Sequence, residues 1–458
     1  MSTPAQESDG GDMLEKLHLL TPELLNSITA YSAATSSKTP AHGDDADRVE
    51  TERRERIVEA AQAIVDAARP PQPEWMNQST AGAEFVALRL FIEWGAFEVI
   101  PVEGSISYED LAHEMDAEVQ LLTGGAGAGV KELREKTDGE SETNTARLAW
   151  LMVSSGLLEQ VGEDRVRHTP KSRQLTESVP LRSMWQLMFD NSFTSSASLP
   201  RYFRTYGRRE PKGLTHIPFT FAHGAPEKKF WDVLNAEPGR MQVFMHAMTA
   251  IDKQVPLMGP ITGLYDFGWV ADVVADEKKK SSSSDHNRPL LVDVGGGKGH
   301  CIKAFCAGED SPLSQDRCVL QDVAPVIEVV RSDEASGLAG VTLMAIDFHV
   351  EQPVKGALIY YIRHCLHNYD DDTVVGIMKR TAEAMADDSR LLVAEYVMSN
   401  PPSRFSIWMD FIMMMSGGKE RTAALWEEVG SRAGLRLVAF HGIEVSLDGH
   451  AVIEFAKR

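Results

Sequence analysis

Leu290-Leu291-Val292-Asp293-Val294-Gly295-Gly296-Gly297-Lys298-Gly299 is the stretch that decides the fold. Residues 290–294 form a short, mostly apolar run that ends at a glycine cluster. That pattern reads as a buried strand entering a tight turn, with a helix predicted from His300. Gly295 and Gly297, with Gly299 beyond them, permit positive φ and let a ligand approach the backbone. The spacing is GxGxG rather than the dinucleotide fingerprint GxGxxG, because His300 stands where the third glycine or alanine belongs. Asp293, two residues before the first glycine, suits a cationic ligand. Beside a pyrophosphate the same carboxylate would cost Coulomb energy. Spacing and charge together argue against a nicotinamide-dependent dehydrogenase.

Downstream, apolar strand patterns alternate with helical ones. Strands are predicted at 318–321, 341–345, 357–362 and 390–395, with helices at 323–332 and 371–385. Segments 435–441 and 451–455 close the chain as a hairpin around 446–449. Repeated strand–helix units predict an α/β fold: a mostly parallel, Rossmann-like sheet with helices on both faces and an antiparallel last strand. Carboxylates recur where strands end. Asp322 follows the second strand, where an acid can accept two ribose hydroxyls. Asp347 follows the third, with Phe348 beside it. There an acid can accept an exocyclic amine and an aromatic ring can cover a base.

Upstream, residues 1–12 are polar and acidic and read as disordered. Two helical patterns fill 13–68, separated by polar residues 36–47, and Pro70, Pro71 and Pro73 end the second. Residues 80–180 read as three helices and a β-wing. Phe85, Leu88, Leu90, Phe91 and Trp94 mark the first helix. Ser107, Glu109 and Asp110 start the second, and Thr145 caps the third. The wing turns at Gly162-Glu163-Asp164. Residues 121–143 read as a surface insertion. A winged helix suggests DNA binding, but the third helix offers only Arg147 among apolar residues, so it reads as packing. Residues 181–258 read as helical, with Phe189, Phe193, Trp231, Phe244, Met245 and Met248 as core or pocket candidates. Residues 278–289, three lysines and then four serines, read as a loop. Three units follow: 1–75, an extension; 76–258, mainly helical and winged-helix-like; 259–458, catalytic.

Composition bounds the function. A chain of 458 residues exceeds one ordinary core. A net charge of -21 disfavours nucleic acid and anionic membranes. Four cysteines without a CxxC pair fit reduced thiols in a cytoplasmic protein. The N-terminus lacks signal-peptide character, and no apolar run suits a membrane span. No metal spacing is recognised: there is neither HxxxH nor a clustered acid–His pattern.

The pieces VDVGGGKGH, LQDVAPVI, AIDFHVEQP, YYIRHCLHNYDDD, LLVAEYVM and GGKERT, in this order, resemble the small-molecule O-methyltransferases of the caffeate/flavonoid type, and most closely their fungal secondary-metabolism relatives. The likeness is strong over 290–458 and extends to RLAWLMVSSGLLEQ, which is similar to that family's dimerisation domain. Residues 1–75 match poorly. The resemblance implies S-adenosylmethionine as cofactor, a homodimer, and a small hydroxylated substrate. It assigns the general base to His367, in His367-Asn368-Tyr369, with His364 as the alternative, and the carboxylates that orient the base to Glu395 and Glu420. Arg363 matches a basic position lining the cofactor site. Where the family usually has an acid after the base, this chain has Asn368. The Met-rich segment before Gly417, including Met409, Asp410 and Met413, is a candidate substrate wall. A competing reading keeps the cofactor as a cationic scaffold for dehydration or a pericyclic step. The presence of His367, Glu395 and Glu420 favours methyl transfer.

Overall fold

A computed structural model of the protein describes residues 7–36, 44–68, 74–117, 147–237, 239–254, 262–280, 288–308, 311–333, 335–443 and 449–458. Thr145, the insertion at 121–143, the serine run at 281–284 and most of the turn at 446–449 lie outside the described residues. Among the described residues, no helix is long and apolar enough to cross a membrane.

The N-terminal half is helical. Helices Glu7–Ser36 and Asp44–Ala68 pack on each other. The first begins earlier than the disordered reading of 1–12 expected. Helix Glu74–Glu93 buries Leu88 and Phe91 against Ala149 and Met152 of helix Leu148–Ser154. That burial supports packing, rather than groove reading, for the third helix. Ser107 caps helix Tyr108–Glu114 by accepting from the Asp110 amide. The wing is a small antiparallel sheet of β1 (Ile106–Ser107), β2 (Leu158–Val161) and β3 (Arg165–His168), ordered β1-β3-β2.

The lysine run at 278–280 ends helix Trp269–Lys280 instead of forming a loop. Val270 is buried on that helix, and Lys279 Nζ pairs with Asp276 at 3.1 Å. The main sheet then assembles from β4 (Leu291–Val294), β5 (Cys318–Asp322), β6 (Thr342–Ala345), β7 (Ile359–Arg363), β8 (Arg390–Met398), β9 (Arg421–Thr422), β10 (Leu435–His441) and β11 (His450–Lys457). Its order is β10-β11-β8-β7-β4-β5-β6, with β9 paired to β8. β4, β5, β6, β7 and β8 run parallel, and β11 is antiparallel to β8. The predicted sheet and its antiparallel last strand are therefore present.

From β4 the chain builds outward through β5 and β6, then returns to the other side of β4 with β7 and β8. That reversal opens a crevice at the carboxyl ends of β4 and β7, where open α/β sheets bind ligands. One strand differs from expectation. β8 runs on to Met398, because β11 pairs it as far as Tyr396 and β9 pairs Val397 and Met398. Glu395 is therefore inside a strand, not at its end.

Candidate active site

β4 is buried throughout and delivers the chain into the glycine turn. Gly295 and Gly297 hold φ of 73° and 56°, which L side chains rarely adopt. A Cβ on Gly295 would stand 2.8 Å from Cys365 Sγ, whereas one on Gly297 would meet nothing within 4 Å. The turn is closed against the protein at one glycine and open at the other.

Asp293 lies beneath this turn, 1% exposed. Neither of its carboxylate oxygens has a hydrogen-bond partner among the described residues. Burial, and then the charge of Asp322, pushes its pKa up to about 7, with Arg363 opposing. Such a carboxylate is stabilised by an arriving cation. Asp322 ends β5. Its Oδ2 accepts from the Gly297 amide at 2.9 Å and its Oδ1 from Val323 at 2.7 Å, which leaves acceptor capacity on both oxygens. Asp347 is exposed and accepts from the His349 amide at 2.9 Å. Phe348 reaches within 3.7 Å of the Cβ position on Gly295 and meets Tyr369 edge-on at 6.0 Å. Arg363 ends β7 beside this group. An unpartnered buried acid, an open glycine, a strand-end acid and a ring flanking the turn fit a cationic nucleoside such as S-adenosylmethionine.

After β7 the chain turns sharply. His364 has φ of 49°, a left-handed conformation in which histidine is enriched among non-glycine residues. The 3-10 turn Leu366–Asn368 follows. Glu395 anchors this turn from β8: its Oε1 accepts from the amides of Cys365, Leu366 and His367 at 2.9, 2.8 and 3.3 Å. Glu395 is 0% exposed. Burial alone would raise its pKa, but the neighbouring His367 and His364 and the backbone donors bring it down to about 2.

His367 is 6% exposed. Its Nδ1 lies 2.8 Å from Glu420 Oε1 and 3.5 Å from Glu395 Oε2. Burial disfavours its charged form, yet the two carboxylates outweigh burial and lift its pKa to about 9. A carboxylate on Nδ1 fixes that nitrogen as the donor and leaves Nε2 as the basic one. Gly418 lets the Glu420 segment approach: a Cβ there would stand 2.0 Å from the His367 carbonyl, which accepts from Lys419 at 2.9 Å. Arg421, 0% exposed, pairs with Asp371 at 2.8 Å and donates to the Tyr369 carbonyl at 2.7 Å. These bonds staple the base turn to the segment carrying Glu420.

The substrate candidates are placed as follows. Met409 is buried and Met413 half-buried on helix Arg404–Met415. Asp410 Oδ1 accepts from the Glu420 amide at 2.9 Å, so its contact is with the residue that holds the base. Asn368 Nδ2 donates to the Cys365 carbonyl at 3.2 Å and to His364 at 3.4 Å, folding its amide back onto the turn. Sequence reasoning missed Cys365 behind the glycine turn and His450, buried 5.0 Å ring-to-ring from His364. It also missed the acid–His cluster: His364, His367 and Glu395 bring ligand atoms within 4.8 Å of one another. Glu395 is distant in sequence, and only the β7–β8 pairing brings it to the two histidines. The His-x-x-His spacing of His364 and His367 was the available signal.

Comparison with known proteins agrees with this geometry. The sequence profile of an O-methyltransferase domain matches residues 279–436. Methyltransferase cfoD of Aspergillus candidus is 32% identical over 422 residues, 91% of this chain and 94% of that protein. The solved structure of OxaC in complex with sinefungin and meleagrin superposes with a TM-score of 0.72 at 22% identity, covering 96% of this chain and all (100%) of that one. A pericyclic reaction enzyme superposes with a TM-score of 0.69 at 22% identity, covering 95% of this chain and 100% of that one, so the fold extends to other chemistry. The fold, the cleft and the likeness over nine-tenths of the chain lead to one conclusion: this chain belongs to the S-adenosylmethionine-dependent O-methyltransferases, in their fungal secondary-metabolism branch.

Proposed function

We propose that the chain methylates a phenolic or enolic hydroxyl of a small secondary metabolite, with His367 as the general base and Glu395 and Glu420 as positioning residues. The observation that carries this reading is the buried His367 imidazole bonded to Glu420 at 2.8 Å, on the loop beside the glycine turn. When bound, S-adenosylmethionine supplies a methyl group already activated on a sulfonium. Asp293 would take up the cofactor's positive charge, Asp322 its ribose hydroxyls, and Asp347 and Phe348 its adenine. Gly295 and Gly297 would give room along the backbone, and Arg363 would line the same site.

Once the imidazolium has given up its Nε2 proton, His367 Nε2 accepts the hydroxyl proton as the acceptor oxygen attacks, a contribution of roughly 10²–10⁴-fold. Glu420 and Glu395 hold the ring in one tautomer and stabilise the imidazolium that results. Met409 and Met413 would form an adaptable wall for the acceptor, with Asn368 at its edge. Of the alternative, a dehydration or a pericyclic step over the cofactor, the pericyclic form needs no proton acceptor, and the two carboxylates on the His367 ring argue for one.

The unit 76–258 is assigned to dimerisation and to a lid over the substrate. In support, the π-helix Met188–Phe193 of this unit packs against helix Arg404–Met415, which carries Met409 and Met413, and Trp185 and Phe193 of this unit are exposed. Four free thiols fit a reducing, cytoplasmic setting.

The test is incubation of the purified protein with methyl-labelled cofactor and a set of phenols and enols. Label on a product oxygen is expected. An acceptor consumed without gaining label would contradict the reading and favour the pericyclic one.

A further inference from the structure

His364 has no part in the chemistry above, yet its side chain is only 17% exposed and faces the base. Its Nδ1 lies 3.7 Å from Glu395 Oε2, and His367 Nδ1 lies 3.5 Å from the same oxygen. Both ring nitrogens of His364, and Glu395 Oε2, lack a hydrogen-bond partner among the described residues. Glu395 is held from behind, because its other oxygen takes three backbone amides. Three ligand-type atoms therefore converge on one point, two of them wholly without hydrogen bonds.

The spacing suits a small divalent ion. Ligands bonded at about 2.0–2.1 Å in a tetrahedron stand roughly 3.3–3.4 Å apart, so the 3.5 and 3.7 Å to Glu395 close by a few tenths of an ångström, and the two imidazoles, whose ligand atoms lie within 4.8 Å of each other, close by rotating toward the ion. Two imidazoles and one carboxylate select a zinc-class ion over magnesium or calcium, which prefer oxygen. Glu395 and Glu420 supply negative charge to offset the ion, and Arg363 opposes it.

We propose that His364, His367 and Glu395 bind a zinc-class divalent cation, and that this ion holds the enzyme inactive until it is removed. Binding displaces the Nδ1 proton of the His367 imidazolium to solvent, breaks the bond to Glu420 and leaves the remaining proton on Nε2. The ring, now bonded to a cation, is a poor proton acceptor. No redox change occurs. Inhibition rests on the function proposed above; metal uptake does not.

The test uses the full chain, stripped with chelator, titrated with cobalt(II) and separately with zinc(II). One equivalent of cobalt should bind and give visible bands of a nitrogen- and oxygen-ligated ion, and zinc should displace it. Zinc should abolish methyl transfer in the same concentration range. His364→Gln should keep metal-free turnover while the zinc needed for half-inhibition rises at least about tenfold. If that variant does not fold, His364→Asn replaces it, and the wild-type cobalt spectrum decides alone. Absence of stoichiometric uptake, an intense sulfur-to-cobalt band from the cysteines, or equal zinc sensitivity in the variant would each overturn the proposal. Cobalt uptake without any methyl transfer would leave the metal site standing and sink only the function.

Discussion

Asp293 on β4 and Glu395 on β8 are both fully buried carboxylates, separated in the sheet only by β7. Their surroundings push them in opposite directions. Glu395 accepts three backbone amides beside two histidines, and its pKa falls to about 2. Asp293 has no hydrogen-bond partner among the described residues, and its pKa rises to about 7. A buried charge held by three amides on one oxygen and facing two imidazoles with the other is part of the folded framework. An unsatisfied one is a vacancy in the electrostatics that a ligand can fill. On this account the difference divides the cleft into a finished half, which holds the base, and a half completed only by the cationic cofactor.

The largest effect should come from damaging the finished half. Glu395→Gln leaves the imidazolium beside a neutral amide and disturbs the three amide bonds. A loss of about 3–5 kcal/mol in urea unfolding is expected. Unchanged stability would erase the contrast. Asp293→Asn should do the reverse. Unfolding should move by under about 1 kcal/mol, since neither side chain finds a donor, while calorimetry should record roughly 10–100-fold weaker binding of S-adenosylmethionine. Equal behaviour of the two variants would show that the two carboxylates do the same job. Asp322→Ala should weaken cofactor binding less, by about tenfold, because hydrogen bonds rather than a buried charge are lost.

The smallest effect is on pH dependence, measured as melting temperature in metal-free buffer. The His367 pKa is raised from 6.5 to about 9. Its stabilisation is complete below 6.5 and is lost as pH climbs to 9. Asp293, raised from 3.8 to about 7, loses its share between those values as pH rises. Glu395, lowered from 4.5 to about 2, behaves oppositely and fails only as pH falls below 4.5. The melting temperature should therefore decline from pH 6.5 to 9, and His367→Gln should flatten that decline. A wild-type profile already flat over this window would contradict the basicity assigned to His367.

The cofactor half was the more legible in sequence. Asp293, the glycines and Asp322 sit at strand ends, and strand periodicity places strand ends directly. Glu395 was assigned by resemblance and misplaced by local pattern. Its strand runs three residues further because β9 and β11 pair with it, and such pairing leaves no local trace. Asp410 was read as substrate wall; its Oδ1 also accepts from the Glu420 amide across ten residues, a bond that leaves no local trace in sequence. The role of His364 depended on a left-handed backbone that its own side chain does not announce. Residues 278–280 end a helix where composition alone suggested a loop, because that helix is anchored upstream by the buried Val270.

The central claim is that the His367 ring takes the acceptor's proton while the cofactor is held elsewhere. Replacing His367→Ala and measuring turnover alongside S-adenosylmethionine affinity tests it most directly. The account predicts a fall in turnover of roughly 10²–10⁴-fold with affinity changed by less than about twofold. Parallel loss of both, or turnover that survives, would contradict it.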